Sequence, residues 1–179
     1  MPRVALLGRD GVLLEPREGG IRSPDEIQVI PGSLEAVARL NHAGFHVLVA
    51  SNQPAMGEGA LDIDALNAVH QRLTELLARA GGHLDALAVC PHRPEEDCRC
   101  RKPRTGLFDE IASRLEVSLK DAPLFGDDAA DIEAARAIGA QPLLLATGHG
   151  HATHRLYPEL PLFDDLSHAV SWLLDRQNP

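Results

Sequence analysis

Apolar residues along this chain follow two patterns, one typical of buried strands and the other typical of amphipathic helices. Short apolar runs bounded by turn residues predict six strands, the last of them short. Longer stretches with apolar residues every three or four positions predict the helices between them. The predicted strands are Val4–Leu7, His46–Ala50, Leu84–Val89, Pro123–Phe125, Pro142–Ala146 and Leu162–Phe163. The predicted helices are Ser33–Ala43, Asp62–Ala80, Thr105–Leu115, Ala129–Ile138 and Ser167–Arg176.

Alternation of strands with helices predicts an α/β fold, with a parallel sheet and helices on both faces. The length of 179 residues suits one domain, and residues 1–179 show no repeat, linker or low-complexity segment. Ser33 is expected to cap the first helix, and Gly44 to end it. In the second helix, the apolar face is predicted to hold Ile63, Leu66, Val69, Leu73, Leu76 and Leu77. Polar or glycine-rich loops are expected at Glu15–Pro31, Pro54–Gly59 and Cys90–Pro103.

Composition and charge narrow the range of partners. Apolar residues make up 44% of the chain, aromatic residues 3%, and the net charge is −9. Few aromatic residues and a negative charge argue against nucleic-acid binding, although local cations could still hold a small phosphorylated metabolite. No apolar run reaches the roughly 20 residues of a membrane span. Met1-Pro2-Arg3 runs straight into a strand without a signal-peptide pattern, so a cytoplasmic location is expected.

All three cysteines of the chain fall within one loop, together with a histidine. Three thiolates and one imidazole are a ligand set typical of a closed, structural zinc site. A disulfide is the competing use of close cysteines, but it requires an oxidising compartment. Three unrelated thiols are the third alternative, although such clustering is rare by chance. The predicted zinc ligands are Cys90, His92, Cys98 and Cys100.

Charged and hydroxyl-bearing residues follow the predicted strands at the end where open α/β sheets bind ligands. The segments are Gly8-Arg9-Asp10-Gly11, Ser51-Asn52-Gln53, Arg101-Lys102-Pro103 and Gly126-Asp127-Asp128. Together with the cysteine loop, they resemble the motifs of the haloacid dehalogenase (HAD) phosphatase superfamily. The resemblance is strongest to its small zinc-containing branch, which includes heptose-bisphosphate and histidinol-phosphate phosphatases. It implies a HAD-like fold without a separate cap domain, so that any cover over the site comes from the loops.

The resemblance also implies roles for individual residues, each of which has an ordinary alternative such as a turn aspartate or a surface lysine. Asp10 matches the general acid and base, and its backbone carbonyl faces a catalytic Mg²⁺. Asp127 matches a Mg²⁺ ligand, with Asp128 as an additional one, and Asp131 matches the carboxylate that orients the lysine. The implied phosphate- and substrate-binding residues are Ser51, Asn52, Gln53, Arg101 and Lys102. The four residues of the cysteine loop bind structural zinc in the resembled branch.

The chain departs from the resembled family at its first motif. Gly8 stands where the family has the aspartate that attacks phosphorus, and glycine cannot form a phospho-aspartate. Leu14 and Glu58 also replace residues that the family uses, an asparagine and a loop arginine. These departures leave three hypotheses: a sugar phosphatase with weak or lost activity and weak Mg²⁺ binding, a pseudophosphatase acting as a binding or regulatory module, or an artificially introduced glycine. Leu14 and Glu58 argue against the third, and no protein partner is indicated.

Overall fold

Six parallel strands form one sheet at the centre of the structure. The structure is a computed structural model that describes residues 2–176, so Met1 and residues 177–179 of the predicted domain lie outside the described residues. The strands are β1 (Arg3–Leu7), β2 (Phe45–Asn52), β3 (Ala86–Cys90), β4 (Pro123–Gly126), β5 (Gln141–Leu145) and β6 (Leu162–Phe163). Their order in the sheet is β3-β2-β1-β4-β5-β6. The predicted parallel α/β architecture is confirmed.

Helices cover both faces of the sheet, because alternate residues of each strand point to opposite faces. The helices are α1 (Ser33–His42), α2 (Pro54–Gly57), α3 (Ile63–Arg79), α4 (Gly106–Leu115), α5 (Ala129–Ala137), α6 (Gly150–Leu156) and α7 (Leu166–Asp175). Ala5 and Leu7 of β1 pack in a core with α1, α3 and α7, whereas Val4 and Leu6 pack in a second core with α4 and α5.

Two short helices were not expected. The predicted loop Pro54–Gly59 is wrong in its first part, because α2 occupies Pro54–Gly57 directly after β2. Helix α6 was missed, since its seven residues carry no apolar period. Strand β2 also runs two residues beyond its predicted end, which places Ser51 inside the sheet.

Two expectations about helix residues are wrong. Ser33 does not cap α1: its hydroxyl donates to the carbonyl of Leu13 at 2.9 Å, and Gly32 occupies the N-cap position. Ile63 is 56% exposed, whereas the other predicted apolar positions of α3 are buried or partly buried. Ile63 is the first residue of α3, and it belongs to none of the hydrophobic clusters in which the later apolar residues of the helix pack.

The segment between β1 and α1 folds back against the core without forming a domain of its own. It contains a 3-10 turn at Pro24–Glu26, and Leu14 bridges to Val29. The backbone N–H of Glu15 donates to Gln28 at 2.8 Å. In the part of the chain that the structure describes, none of the helices has the length and hydropathy needed to cross a bilayer.

Candidate active site

The ends of three central strands bring the predicted phosphate-transfer residues to one edge of the sheet. Strand β1 lies between β2 and β4, and all three run in the same direction. Asp10 follows β1, Ser51 lies at the end of β2, and Asp127 follows β4. This is the edge at which open α/β sheets bind ligands, so the topology gathers residues that are far apart in the chain.

Asp10 is held by three N–H donors. The Arg9 guanidinium donates from Nε to Asp10 Oδ1 and from Nη2 to Oδ2, each at 3.0 Å. Gln53 donates to Asp10 Oδ2 at 2.9 Å and to the hydroxyl of Ser51 at 2.8 Å. Sequence reasoning missed Arg9, whose side chain is fully buried. Its position in the Gly8–Gly11 motif was the only available signal.

Lys102 lies buried between two oxygen acceptors. Its ammonium donates to Asp131 Oδ1 at 2.6 Å and to the carbonyl of Ala50 at 2.8 Å. Asn52 fixes the lysine backbone from both sides, since its Oδ1 accepts the Lys102 N–H and its Nδ2 donates to the Lys102 carbonyl. The structure therefore brings Asn52, Lys102 and Asp131 together as the motifs suggested, although their roles in binding stay predictions.

Three carboxylates face this one ammonium. Asp127, Asp128 and Asp131 each offer an oxygen within 4.8 Å of the others. Burial, and then the neighbouring Asp131 carboxylate, raise the pKa of Asp127 to about 7. Burial also raises the pKa of Asp131, against the attraction of Lys102. For Lys102, burial disfavours the ammonium, but the carboxylates outweigh it and raise the pKa.

When its three carboxylates are ionised, the cluster carries more negative charge than Lys102 balances. Mg²⁺ takes hard oxygen ligands and is commonly held by one or two carboxylates together with substrate phosphate. The donor set of Asp127 and Asp128 fits such an ion.

Asp127 is positioned by a loop that sequence reasoning did not connect with it. The backbone N–H of His149 donates to Asp127 Oδ2 at 2.9 Å, and the Thr153 hydroxyl donates to the Asp127 carbonyl at 2.8 Å. A Cβ at Gly11 or Gly148 would lie 2.1 or 2.2 Å from Asp127 Oδ2, and both residues have positive φ. Only glycine leaves room for the carboxylate there.

Gly8 lies at the tip of β1, where its N–H donates to the carbonyl of Phe125 at 3.1 Å. A Cβ at this position would point toward the site, 3.6 Å from Asp131 Oδ2 and 3.9 Å from the Asp10 carbonyl. The nearest atom would be Val12 Cγ2 at 3.1 Å, the end of a side chain. The backbone of Gly8 is not in the left-handed region, so nothing in its conformation requires glycine.

The predicted zinc ligands converge on one point. Cys100 Sγ lies 3.3 Å from Cys90 Sγ and 3.6 Å from Cys98 Sγ, and His92 Nδ1 lies 3.2 Å from Cys100 Sγ. Ligands about 2.3 Å from a tetrahedral ion would be separated by about 3.8 Å, so a small outward movement of these atoms would make room for the ion. The sulfur separations exceed the roughly 2.05 Å of a disulfide, and all three thiols are free. The cluster could therefore hold a metal ion.

Two of the thiols differ in proton affinity. Burial raises the pKa of Cys90 to about 12. For Cys98, burial acts in the same direction, but the N–H of Arg101 and the neighbouring thiols outweigh it and lower the pKa to about 7. A thiolate is the form that binds metal, so Cys98 is the thiol that ionises most readily.

Arg101 links the cysteine loop to the phosphate-transfer residues. Its N–H donates to Cys98 Sγ at 3.3 Å, and the next residue is Lys102. Among the described residues, Arg101 Nη1 is one of two buried side-chain nitrogen or oxygen atoms without a hydrogen-bond partner. A buried guanidinium nitrogen without an acceptor is costly, and an anionic ligand could supply the acceptor.

A cavity of about 410 Å³ opens in front of Asp10. Its lining combines the acid–base candidate with two loop charges of opposite sign, Arg17 and Glu58, and includes Asn52 and Gln53. A larger cavity of about 780 Å³ lies beside the cysteine loop, between Arg99 and Ala137, and contains none of the predicted phosphate-transfer residues. Of these two cavities, only the smaller one is lined by predicted catalytic or substrate-binding residues, namely Asp10, Asn52 and Gln53.

Comparisons with known proteins agree with this geometry. The model of the HAD-hydrolase-like family matches residues 99–169. The D-glycero-beta-D-manno-heptose-1,7-bisphosphate 7-phosphatase of Pseudomonas aeruginosa is 42% identical over 173 residues, covering 94% of this chain and 96% of the relative. The corresponding phosphatase of Bordetella bronchiseptica is 41% identical over 151 residues, covering 84% of each chain.

A solved structure extends the similarity to three dimensions. The crystal structure of D,D-heptose 1,7-bisphosphate phosphatase from B. bronchiseptica, complexed with magnesium and phosphate, superposes with a TM-score of 0.91 at 38% identity. The match covers 97% of this chain and 99% of that one. Taken with the gathered strand-end residues, these matches show that the chain belongs to the D-glycero-D-manno-heptose-1,7-bisphosphate 7-phosphatase family of HAD-like hydrolases.

Proposed function

We propose that this chain is a sugar-phosphate phosphatase of the heptose-bisphosphate type by descent, with turnover limited by the absence of a nucleophile at position 8. Its relatives are phosphatases of D-glycero-D-manno-heptose bisphosphate, which supports a small phosphorylated sugar as the ligand. The observation that carries the proposal is Gly8, whose missing side chain would point toward Asp131 and the Asp10 carbonyl.

The remaining residues suit binding of a phosphoryl group. Lys102 offers a buried positive charge, Ser51 a hydroxyl at the strand tip, and Arg101 a guanidinium nitrogen that lacks an acceptor. Asp127 and Asp128 would hold Mg²⁺, with the Asp10 carbonyl as a further oxygen ligand. When bound, the ion would offset the charge on the phosphoryl oxygens. Asp131 keeps Lys102 oriented through their 2.6 Å ion pair.

Without an aspartate at position 8, the proposed route of hydrolysis is direct attack of water. A water oxygen would bond to phosphorus as the bond to the sugar oxygen breaks. Asp10 would accept the water proton and deliver it to the leaving sugar oxygen. Removal of a catalytic nucleophile can cost on the order of a million-fold in rate, so this route is slow.

Two features favour the alternative function, a pseudophosphatase that binds a phosphorylated ligand without turning it over. One is Gly8 itself. The other is Glu58, an exposed carboxylate that lines the cavity in front of Asp10. A carboxylate there repels a second phosphate of a bisphosphate substrate, which weakens heptose-bisphosphate recognition independently of the missing nucleophile.

The cysteine loop is proposed to bind one structural zinc ion. Three thiols and one imidazole close a tetrahedral set, and their separations support it. Bound zinc would hold Cys98 in place, and with it the N–H of Arg101. The loop would then present Arg101 and Lys102 to the phosphate.

A single substitution tests the proposed function. Gly8→Asp should raise activity on a generic phosphomonoester by orders of magnitude, because it restores the attacking carboxylate. Gly8→Asn is the matched control, since it has the same size and no nucleophilic carboxylate, and it should stay at the starting rate. The close contact with Val12 Cγ2 concerns only the end of a side chain, so both variants should fold.

A second substitution separates attack from recognition. Adding Glu58→Arg to Gly8→Asp should improve kcat/KM for heptose bisphosphate more than for the generic substrate. Turnover of the unmodified chain at ordinary phosphatase rates, on the order of 1–10³ per second, would show that another group attacks phosphorus. Inactivity of the double variant would support the binding module instead.

A further inference from the structure

We propose that His70 is a positioning residue of this site, which fixes the Arg9 guanidinium and through it the carboxylate of Asp10. His70 lies in helix α3, 61 residues away from Arg9 in the chain. It belongs to none of the phosphate-transfer motifs. The kinetic consequence rests on the proposed function, whereas the contact itself does not.

His70, Arg9 and Asp10 are linked by consecutive contacts that end at Asp10, the candidate acid and base. His70 Nε2 lies 3.0 Å from Arg9 Nη1. The other nitrogens of the same guanidinium, Nε and Nη2, donate to the two oxygens of Asp10 at 3.0 Å. The planar guanidinium therefore has the carboxylate on one side and the imidazole on the other, and such a bidentate pair has little freedom to rotate.

Because Arg9 is buried, the contact between Arg9 Nη1 and His70 is necessary. The Arg9 side chain is fully buried, so each of its three donor nitrogens needs an acceptor within the protein. Asp10 supplies acceptors for the Nε and Nη2 groups, and His70 supplies one for Nη1. Removing the imidazole would leave a buried charged donor unpaired, and the guanidinium would turn toward another acceptor and release the carboxylate.

The direction of the hydrogen bond fixes the protonation of His70. A guanidinium has donors only, so Nε2 of His70 has to accept, and the ring proton has to sit on Nδ1. A protonated imidazole would place its Nε2–H opposite an N–H of the guanidinium, so that two donors would face each other without an acceptor. Burial first, and the Arg9 charge second, lower the pKa of His70 to about 4, against the attraction of Asp10, which agrees with a neutral acceptor.

Asp10 gains a defined direction from this arrangement. A general acid or base has to lie within hydrogen-bond reach of the proton that it transfers, and small displacements of a reacting group are costly. Gln53 contacts one oxygen of Asp10 only, so Gln53 alone allows the carboxylate to swing. The Arg9 contacts to both oxygens remove that freedom, provided that His70 holds the guanidinium.

The first experiment uses the unmodified chain and does not depend on activity. Long-range ¹H–¹⁵N spectra of the histidine side chains should show His70 as the neutral tautomer with the proton on Nδ1 from pH 8 down to pH 5. The Arg9 Nε–H should exchange slowly with solvent. A His70 ring that is protonated at pH 7, or that carries its proton on Nε2, would overturn the proposal.

The second experiment measures variants in the Gly8→Asp background. His70→Leu should lower kcat on a phosphomonoester roughly 10- to 100-fold, within the range that a positioned acid–base group contributes. KM should change little, because Lys102 and Ser51 still bind phosphate. His70→Gln keeps an acceptor and should recover most of kcat, and Gln71→Leu, on the exposed side of the same helix, should behave as the parent.

The outcomes separate the two proposals. Inactivity of the Gly8→Asp parent would count against the proposed function, and the spectra of the unmodified chain would still decide the role of His70. Unchanged kcat in a folded His70→Leu variant would refute positioning. Equal losses in His70→Leu and His70→Gln, with slow Arg9 Nε–H exchange in both, would also refute it. If His70→Leu does not fold, His70→Gln and the tautomer provide the test.

Discussion

Replacement of Lys102 by methionine should destabilise the fold strongly, because it leaves a buried carboxylate without its counter-ion. Lys102 and Asp131 are 2.6 Å apart, and their side chains are 7% and 3% exposed. Breaking a buried pair by removing one partner costs about 3–5 kcal/mol. With a urea slope of about 2 kcal/mol per molar, a loss of about 4 kcal/mol moves the unfolding midpoint by about 2 M.

The loss should depend on pH, with a sign that follows from Asp131. Burial holds the pKa of Asp131 above its ordinary value even beside Lys102, and loss of the ammonium raises it further. A group with a raised pKa in the folded state binds protons more tightly there, so folding gains stability as the pH falls. The pKa of Lys102 is raised, so the contribution of the Lys102 ammonium to the free energy of unfolding is fully present at pH 8. The deficit of Lys102→Met should therefore be larger at pH 8 than at pH 5.

Urea denaturation followed by circular dichroism, without added Mg²⁺, measures this effect. The control is Arg114→Met, which breaks a pair of similar length, 2.7 Å from Glu110, on the exposed surface of α4, and should cost less than about 0.5 kcal/mol. Adding Asp131→Asn to Lys102→Met should recover at least half of the lost stability at pH 8. Equal midpoint shifts for Lys102→Met and Arg114→Met, or a deficit independent of pH, would refute the reasoning.

Two further predictions concern metals. Protein purified without added metal should contain about one zinc per chain by elemental analysis. Cys98→Ala should lower the zinc content and make the remaining thiols accessible to titration. A zinc content near zero in the unmodified chain would contradict the proposed zinc site. Calorimetry should give a Mg²⁺ dissociation constant for the unmodified chain well above that of the Gly8→Asp variant. The reason is that the unmodified chain has no carboxylate at position 8 to bind the ion together with Asp127 and Asp128. Equal affinities of the two proteins would contradict a role of position 8 in Mg²⁺ binding.

The sequence by itself determined the parts of this protein that are local in the chain. Apolar periodicity determined the strands and long helices, because each pattern needs only neighbouring residues. The four candidate metal ligands of the cysteine loop lie within 11 consecutive residues, so their clustering was visible in the sequence itself. Short elements such as α2 and α6 escaped, since fewer than two turns of helix show no reliable period.

Tertiary structure alone decided which distant side chains meet. Arg9 contacts His70, Asn52 hydrogen-bonds the Lys102 backbone, and the backbone N–H of His149 donates to Asp127. No spacing in the sequence encodes these pairs, because they depend on the parallel order of the strands and on the packing of α3 in the same core as β1. Burial then gives each pair its chemistry: it makes the Arg9 donors need acceptors and raises the pKa of Asp127.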